Sequence, residues 1–136
     1  MQVREVMHEG VETAQITDSL KKVAAVMKRE DIGGMPVYKN MRPVGFVTDR
    51  DIVISSVASG HSPDDPVSLA MRREIIFVYE NDDITKAINL MEQHQISRLL
   101  VVDEGERPVG MLSLHDLTLY FDNALKTAEV LSEIKR

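Results

Sequence analysis

Val44-Gly45-Phe46-Val47-Thr48-Asp49-Arg50-Asp51 returns 65 residues later as Val109-Gly110-Met111-Leu112-Ser113-Leu114-His115-Asp116. Arg42-Pro43 and Arg107-Pro108 precede the two segments at the same offset. Farther upstream the offset is 64: Met35-Pro36-Val37-Tyr38 matches Leu99-Leu100-Val101-Val102, and Met7, Lys22 and Met27 match Met71, Lys86 and Met91. One residue inserted in the second hairpin turn accounts for the change. A repeat that covers nearly the whole chain decides the architecture, because each copy must form the same supersecondary unit.

Each copy reads as β-α-β-β-α. Leu20, Val23, Ala24 and Met27 fall at i, i+3, i+4 and i+7, the apolar stripe of a helix, and Ile84, Ala87, Ile88 and Met91 repeat it. Asp18 or Ser19 stands at the first helix's N-cap position, Asp82-Asp83 precedes the second, and Gly33-Gly34 lies beyond the first helix's end. Two β-type runs follow in each copy, Met35–Lys39 to Val44–Thr48 and Leu99–Asp103 to Val109–Ser113, with a Pro just before each second run. Short strands are expected before the helices, near Thr13–Gln15 and Ile75–Val78, and further helices start at Asp49 and Leu114. The fold class is therefore α/β (α+β). Neither unit covers its own sheet, so the two are expected to pack sheet to sheet about a pseudo-twofold axis, leaving a cleft with two related sites.

The expected boundaries are 1–58 for the first copy, 59–66 for a loop-like linker, 67–122 for the second copy and 123–136 for a helical tail. The linker, Ser59-Gly60-His61-Ser62-Pro63-Asp64-Asp65-Pro66, is loop by composition. In the tail, Leu117, Tyr120, Phe121, Leu125, Ala128 and Leu131 continue a helical apolar stripe whose face needs a partner, in this module or on another subunit.

Composition bounds the rest. The 136 residues are 43% hydrophobic and 28% charged, as in an ordinary globular protein. A chain of this size buries roughly 68% of its unfolded surface and folds without a metal or disulfide. The net charge of −6 opposes partners held by a sheath of phosphates, such as DNA. It leaves room for one small phosphorylated ligand. The absence of cysteine removes thiol catalysis, disulfides and Cys-ligated zinc. No apolar run suits a signal peptide or a membrane span, so a cytoplasmic protein without membrane contact is expected.

Both copies end in Gly-apolar-x-Ser/Thr-x-x-Asp. The hydroxyls of Thr48 and Ser113 sit where a strand gives way to a helix, and free N–H groups and the positive end of the helix dipole favour phosphate there. Asp51 and Asp116 are divalent acceptors, able to take both hydroxyls of a ribose. The same spacing also reads as a capping box, in which the hydroxyls cap N–H groups and the acids reach back. Spacing alone does not separate the two readings.

The tandem β-α-β-β-α repeat, with Met-Pro-Val or Leu-Leu-Val-Val before a hairpin and the Gly-x-x-Ser/Thr-x-x-Asp ending, resembles the CBS domain pair (cystathionine β-synthase domain, or Bateman module) from about Val3 to Phe121. The resemblance implies a stand-alone, non-catalytic regulatory module without a catalytic cofactor. It implies an adenosine nucleotide (AMP, ADP or ATP) as regulatory ligand in the inter-repeat cleft, a homodimer, and an energy or metabolite signal passed to an unidentified protein target. By the same resemblance Thr48 and Ser113 are the phosphate-side hydroxyls, and Asp51 and Asp116 the ribose acids. Ile32 and Ile96 line the adenine pocket with Met35 and Leu99 close by, and Arg98 contacts phosphate where the first copy has Gly34. The site of Ser113, Asp116 and Arg98 with Ile32 is then expected to be the better phosphate binder. The Thr48/Asp51 site either depends on Arg50 or stays weak or empty.

Other readings are a structural dimerisation module with empty clefts, or a binder of another adenosyl ligand such as S-adenosylmethionine or NAD. An enzyme is not expected: the residues beyond the repeats amount to a linker and a tail, and there is no G-x-S-x-G, Walker A or G-x-G-x-x-G. His8, His61, His94 and His115 lack metal-ligand spacing, although His115, inside the motif, is a candidate phosphate donor. The acid pairs Asp64-Asp65, Asp82-Asp83 and Asp103-Glu104 read as turns and helix starts. Met7, Met27, Met35, Met71, Met91 and Met111 recur at equivalent positions and read as core.

Overall fold

The structure, a computed structural model, describes residues 1–134, without the side chains at 127, 129–131, 133 and 134. Strands β1 (His8–Glu9) and β2 (Ala14–Gln15) precede helix α1 (Leu20–Glu30), the hairpin β3 (Gly34–Lys39) and β4 (Arg42–Thr48), and the short helix α2 (Asp49–Asp51). The second copy holds β5 (Phe77–Tyr79), α3 (Ile84–His94), β6 (Arg98–Val102), β7 (Pro108–Ser113) and α4 (Leu114–Ile134). Mixed α/β architecture, duplicated, is what the repeat predicts.

The helices begin and end where local chemistry dictates. Ser19 Oγ accepts the Lys22 N–H at 3.0 Å, and Asp83 Oδ1 accepts the Thr85 N–H at 2.9 Å, satisfying N-terminal donors that have no helical partner. α1 ends at Glu30, ahead of Gly33-Gly34 as expected. Asp31 and Gln95, at φ 53° and 54°, close α1 and α3 in the left-handed conformation, so the turn at the end of α1 is made two residues before Gly33. The β3–β4 hairpin turns on Asn40 and Met41, both at positive φ, the two-residue geometry whose twist matches its strands. Pro43 lies beside the register irregularity at Val37/Tyr38, a place where a strand tolerates a missing N–H.

Two compact units result, and their membership does not follow the order of the repeats. One holds Met1–Gly10, Phe77–Asp103 and the described residues from Val109 on, and the other holds Val11–Ile76 and Glu104–Pro108. The lead-in segment of each copy thus packs with the other copy's elements. In the first unit β1 pairs antiparallel with β7, giving the strand order β1-β7-β6-β5. In the second the order is β2-β3-β4, and Arg72, in the second copy's lead-in segment, bridges Phe46 on β4. His8 opposite Met111 and Arg72 opposite Phe46 are equivalent positions.

The motif glycines make these crossings geometrically feasible. A Cβ on Gly45 would stand 2.5 Å from the Arg72 carbonyl oxygen and 2.9 Å from Met71 Sδ, and one on Gly110 would collide with the His8 carbonyl and meet Met7 Sδ at 3.0 Å. The glycine that opens Gly-x-x-Ser/Thr-x-x-Asp is therefore where a neighbouring backbone passes close to the strand.

Leu20, Val23, Met27, Met35, Val37, Val47, Val67 and Met71 form the core of the second unit, with Ile32 packed against it. Val3, Val78, Ile84, Ala87, Met91, Leu99 to Val102, Leu112 and Leu117 are buried in the first. Met27, Met35, Met71 and Met91 are core residues as expected, while Met7 and Met111 are half-buried. The copies diverge after the motif. α2 passes into a π-helical stretch, Ile52–Val57, whereas α4 runs unbroken to Ile134. The apolar stripe expected on the tail is buried at Leu117 and exposed at Phe121 and Leu125, and the Leu131 side chain and residues 135–136 lie outside the described residues. No helix among the described residues is long and apolar enough to cross a membrane.

Candidate functional site

Each unit carries one strand-to-helix junction, built the same way. At the end of β4, Thr48 Oγ1 accepts the Asp51 N–H at 3.0 Å and Asp51 Oδ2 accepts the Thr48 N–H at 3.0 Å. At the end of β7, Ser113 Oγ accepts the Asp116 N–H at 3.0 Å and Asp116 Oδ2 accepts the Ser113 N–H at 2.9 Å. Both motifs are therefore reciprocal capping boxes.

Capping does not exhaust these groups. Each hydroxyl keeps its own O–H donor and a lone pair, and each box uses only one oxygen of its carboxylate. The box holds both side chains in one orientation, so whatever they present is presented rigidly.

The loop after the preceding helix is tied to each junction. Asp49 N–H donates to the Gly33 carbonyl at 3.0 Å, and Leu114 N–H donates to the Ser97 carbonyl at 2.8 Å. Gly34 pairs with Thr48 across β3 and β4. Ile32 and Ile96, held by N–H bonds to the Met27 and Met91 carbonyls at 3.1 Å each, are half-buried beside these ties. Arg98 follows Ser97 directly and is exposed, so a cation stands at the Ser113 junction where the other junction has Gly34. His115 and Arg50 are exposed on the first turns of their helices. Met35 and Leu99, expected close to the adenine, are 1% and 0% exposed.

The two acids differ. Asp51 is 8% exposed, and its Oδ1 lies 3.5 Å from Nε of Arg72, the residue that bridges β4 from the lead-in segment. Asp116 is half-buried, and its Oδ1 accepts no hydrogen bond from any described residue. Arg72 did not figure in the sequence reading. Its signal was the Met7/Met71 match, which makes His8 and Arg72 counterparts. What that match does not carry is the pairing of each lead-in segment with the other copy's strands. Among the described residues no group of three or more His, Asp or Glu is gathered as a metal-ligand set.

Comparison with known proteins agrees with this duplicated architecture. The family model of the CBS domain matches residues 3–57 and again 66–123. The CBS domain-containing protein YhcV of Bacillus subtilis is 34% identical over 117 residues, which is 86% of this chain and 83% of that protein. Hypoxic response protein 1 of Mycobacterium tuberculosis is 34% identical over 116 residues, 84% of this chain and 80% of its own length. A crystal structure of Hypoxic Response Protein I, with two coordinated zinc ions, superposes with a TM-score of 0.75 over 87% of this chain and 97% of that one. The CBS domain protein PAE2072 of Pyrobaculum aerophilum, complexed with AMP, is 26% identical with a TM-score of 0.73, covering 86% of this chain and 90% of its own. Longer enzymes contain similar segments: an inosine-5′-monophosphate dehydrogenase of Thermoplasma acidophilum is 36% identical over 92 residues, 68% of this chain but 18% of the enzyme. With its Gly-x-x-Ser/Thr-x-x-Asp junction built twice and the family matched twice, this chain belongs to the CBS domain family as a tandem pair.

Proposed function

We propose that this CBS pair binds an adenosine nucleotide at its strand–helix junctions and acts as a non-catalytic energy or metabolite sensor. One observation carries the reading: Asp116 is held by its capping box with Oδ1 uncommitted, while the Ser113 hydroxyl and the exposed Arg98 stand at the same junction. A carboxylate fixed in this way is an acceptor for ribose hydroxyls, and a hydroxyl, a guanidinium and helix N–H groups suit a phosphate. Ile32 and Ile96, both half-buried, offer the apolar surface that a purine needs. The AMP complex of PAE2072 supports AMP as the first ligand to try.

The reading includes a homodimer. Leu114, Phe121 and Leu125 lie on one face of α4 and are 56%, 44% and 65% exposed, an apolar stripe that a second copy would cover. An adenosine nucleotide as signal sets the proposed location in the cytoplasm, with occupancy passed to a protein target.

Thermal unfolding in the presence of AMP, ADP, ATP, NAD and S-adenosylmethionine tests the proposal. A ligand that binds only the folded state adds about 2.7 kcal/mol at a hundred times its Kd. An adenosine nucleotide should raise Tm, and Asp116→Ala should abolish the rise. If none of the five raises Tm, the module is a structural one with unfilled junctions.

A further inference from the structure

The two junctions share every hydrogen bond of the capping box but differ at one carboxylate oxygen. Asp51 uses Oδ2 for the Thr48 N–H and has the Arg72 guanidinium at Oδ1, with Nε 3.5 Å away. Asp116 uses Oδ2 for the Ser113 N–H, and no described residue donates to its Oδ1. The difference follows from the lead-in segments. Arg72 N–H donates to the Phe46 carbonyl at 2.8 Å and Phe46 N–H to the Arg72 carbonyl at 3.0 Å, fixing the arginine's backbone beside the motif. At the equivalent place in the other unit stands His8, opposite Met111, and it makes no hydrogen bond to Asp116.

A ribose diol approaches a carboxylate through both oxygens. At Asp51 it must displace a guanidinium, and at Asp116 it need not. The contact is a charge-assisted one to a side chain that is only 11% exposed, so salt and water screen it less than a surface pair. The arginine itself is 68% exposed, which leaves it free to swing away when a stronger competitor arrives.

We infer that Arg72 is a specificity-determining residue that holds the Asp51 junction closed to ribose and so makes the pair bind its first nucleotide at Asp116. The inference rests on the nucleotide reading of the junctions and adds to it the residue that sets their inequality. It also gives a weak or empty Thr48/Asp51 site, one of the outcomes the sequence leaves open, a cause beyond the missing cation at Gly34.

Isothermal titration with AMP tests it on five proteins: wild type, Arg72→Gln, Asp116→Asn, the double variant, and the double variant with Asp51→Asn added. Asp116→Asn keeps an oxygen for the Ser113 cap while removing the charge. Wild type should show one strong site, lost in Asp116→Asn. In the Asp116→Asn background, Arg72→Gln should tighten the remaining site about fivefold, the scale of one partly exposed ion pair. Adding Asp51→Asn should remove that gain. Two equal sites in the wild type, or a site in Asp116→Asn that Arg72→Gln leaves unchanged or weakens, overturn the inference; weakening would make Arg72 a phosphate contact instead. Absence of AMP binding in all five proteins overturns AMP as the ligand and the inference with it, whereas binding that ignores Arg72 overturns the inference alone.

Discussion

Replacing Gly45 with alanine separates the packing role of the motif from its binding role. The added Cβ would stand 2.5 Å from the Arg72 carbonyl oxygen and 2.9 Å from Met71 Sδ. The thioether can swing aside, but the carbonyl cannot, because Arg72 and Phe46 exchange backbone hydrogen bonds of 2.8 and 3.0 Å. Retreat of the lead-in segment breaks both bonds, each worth about 0.5–1.5 kcal/mol. Staying in place imposes overpacking strain of about 1–3 kcal/mol. Either route costs on the order of 2 kcal/mol, a fall in Tm of about 8 °C for a chain of this size. Gly60→Ala is the control: Gly60 has φ +80° with nothing within 4 Å of its would-be Cβ, so only backbone strain of about 1 kcal/mol applies. Urea unfolding followed by circular dichroism measures both. If Gly45→Ala costs no more than Gly60→Ala, the lead-in segment does not cross β4 there and the account of the motif glycine is wrong.

Three further outcomes are expected. Asp116→Ala should lower stability by about 1 kcal/mol through loss of the cap, and Asp116→Asn by less, in urea titrations without ligand. Asp83 is held below its ordinary 3.8 chiefly by the Thr85 N–H bond, so its contribution is present above that pH and lost as pH falls through the lower folded value. Unfolding midpoints between pH 5 and pH 2 should therefore fall less steeply in Asp83→Asn than in wild type, and parallel curves would count against the cap. Phe121→Glu and Leu125→Glu should lower the mass seen by light scattering without lowering the helix signal, and an unchanged mass removes α4 as the dimer face.

Much of this was legible in the sequence because it is periodic. The 65-residue offset gives the duplicated unit, the stripes at Leu20–Met27 and Ile84–Met91 give α1 and α3, and Thr48-x-x-Asp51 and Ser113-x-x-Asp116 announce the capping boxes that the structure contains. What stayed hidden depends on pairing between segments distant in the chain. Nothing local in Met71-Arg72 says that it will lie along β4, so neither the reason for Gly45 nor the partner of Asp51 could be read. The left-handed closure at Asp31 and Gln95 was hidden for another reason: no glycine stands at either position to announce it. The π-helical stretch after Asp51 has no sequence signal that sets it apart from the continuous helix after Asp116.

The central claim is that the junction acids recognise a ribose while they cap a helix, and titration of the protein with AMP and with 2′,3′-dideoxy-AMP under the same conditions tests it most directly. Bonds from ribose hydroxyls to a fixed carboxylate are each worth about 1.5–3 kcal/mol, so removing both hydroxyls should weaken binding by well over tenfold. In Asp116→Ala the two ligands should bind equally weakly. Equal affinity of the wild-type protein for both nucleotides would mean that Asp116 only caps α4, and the claim would fail.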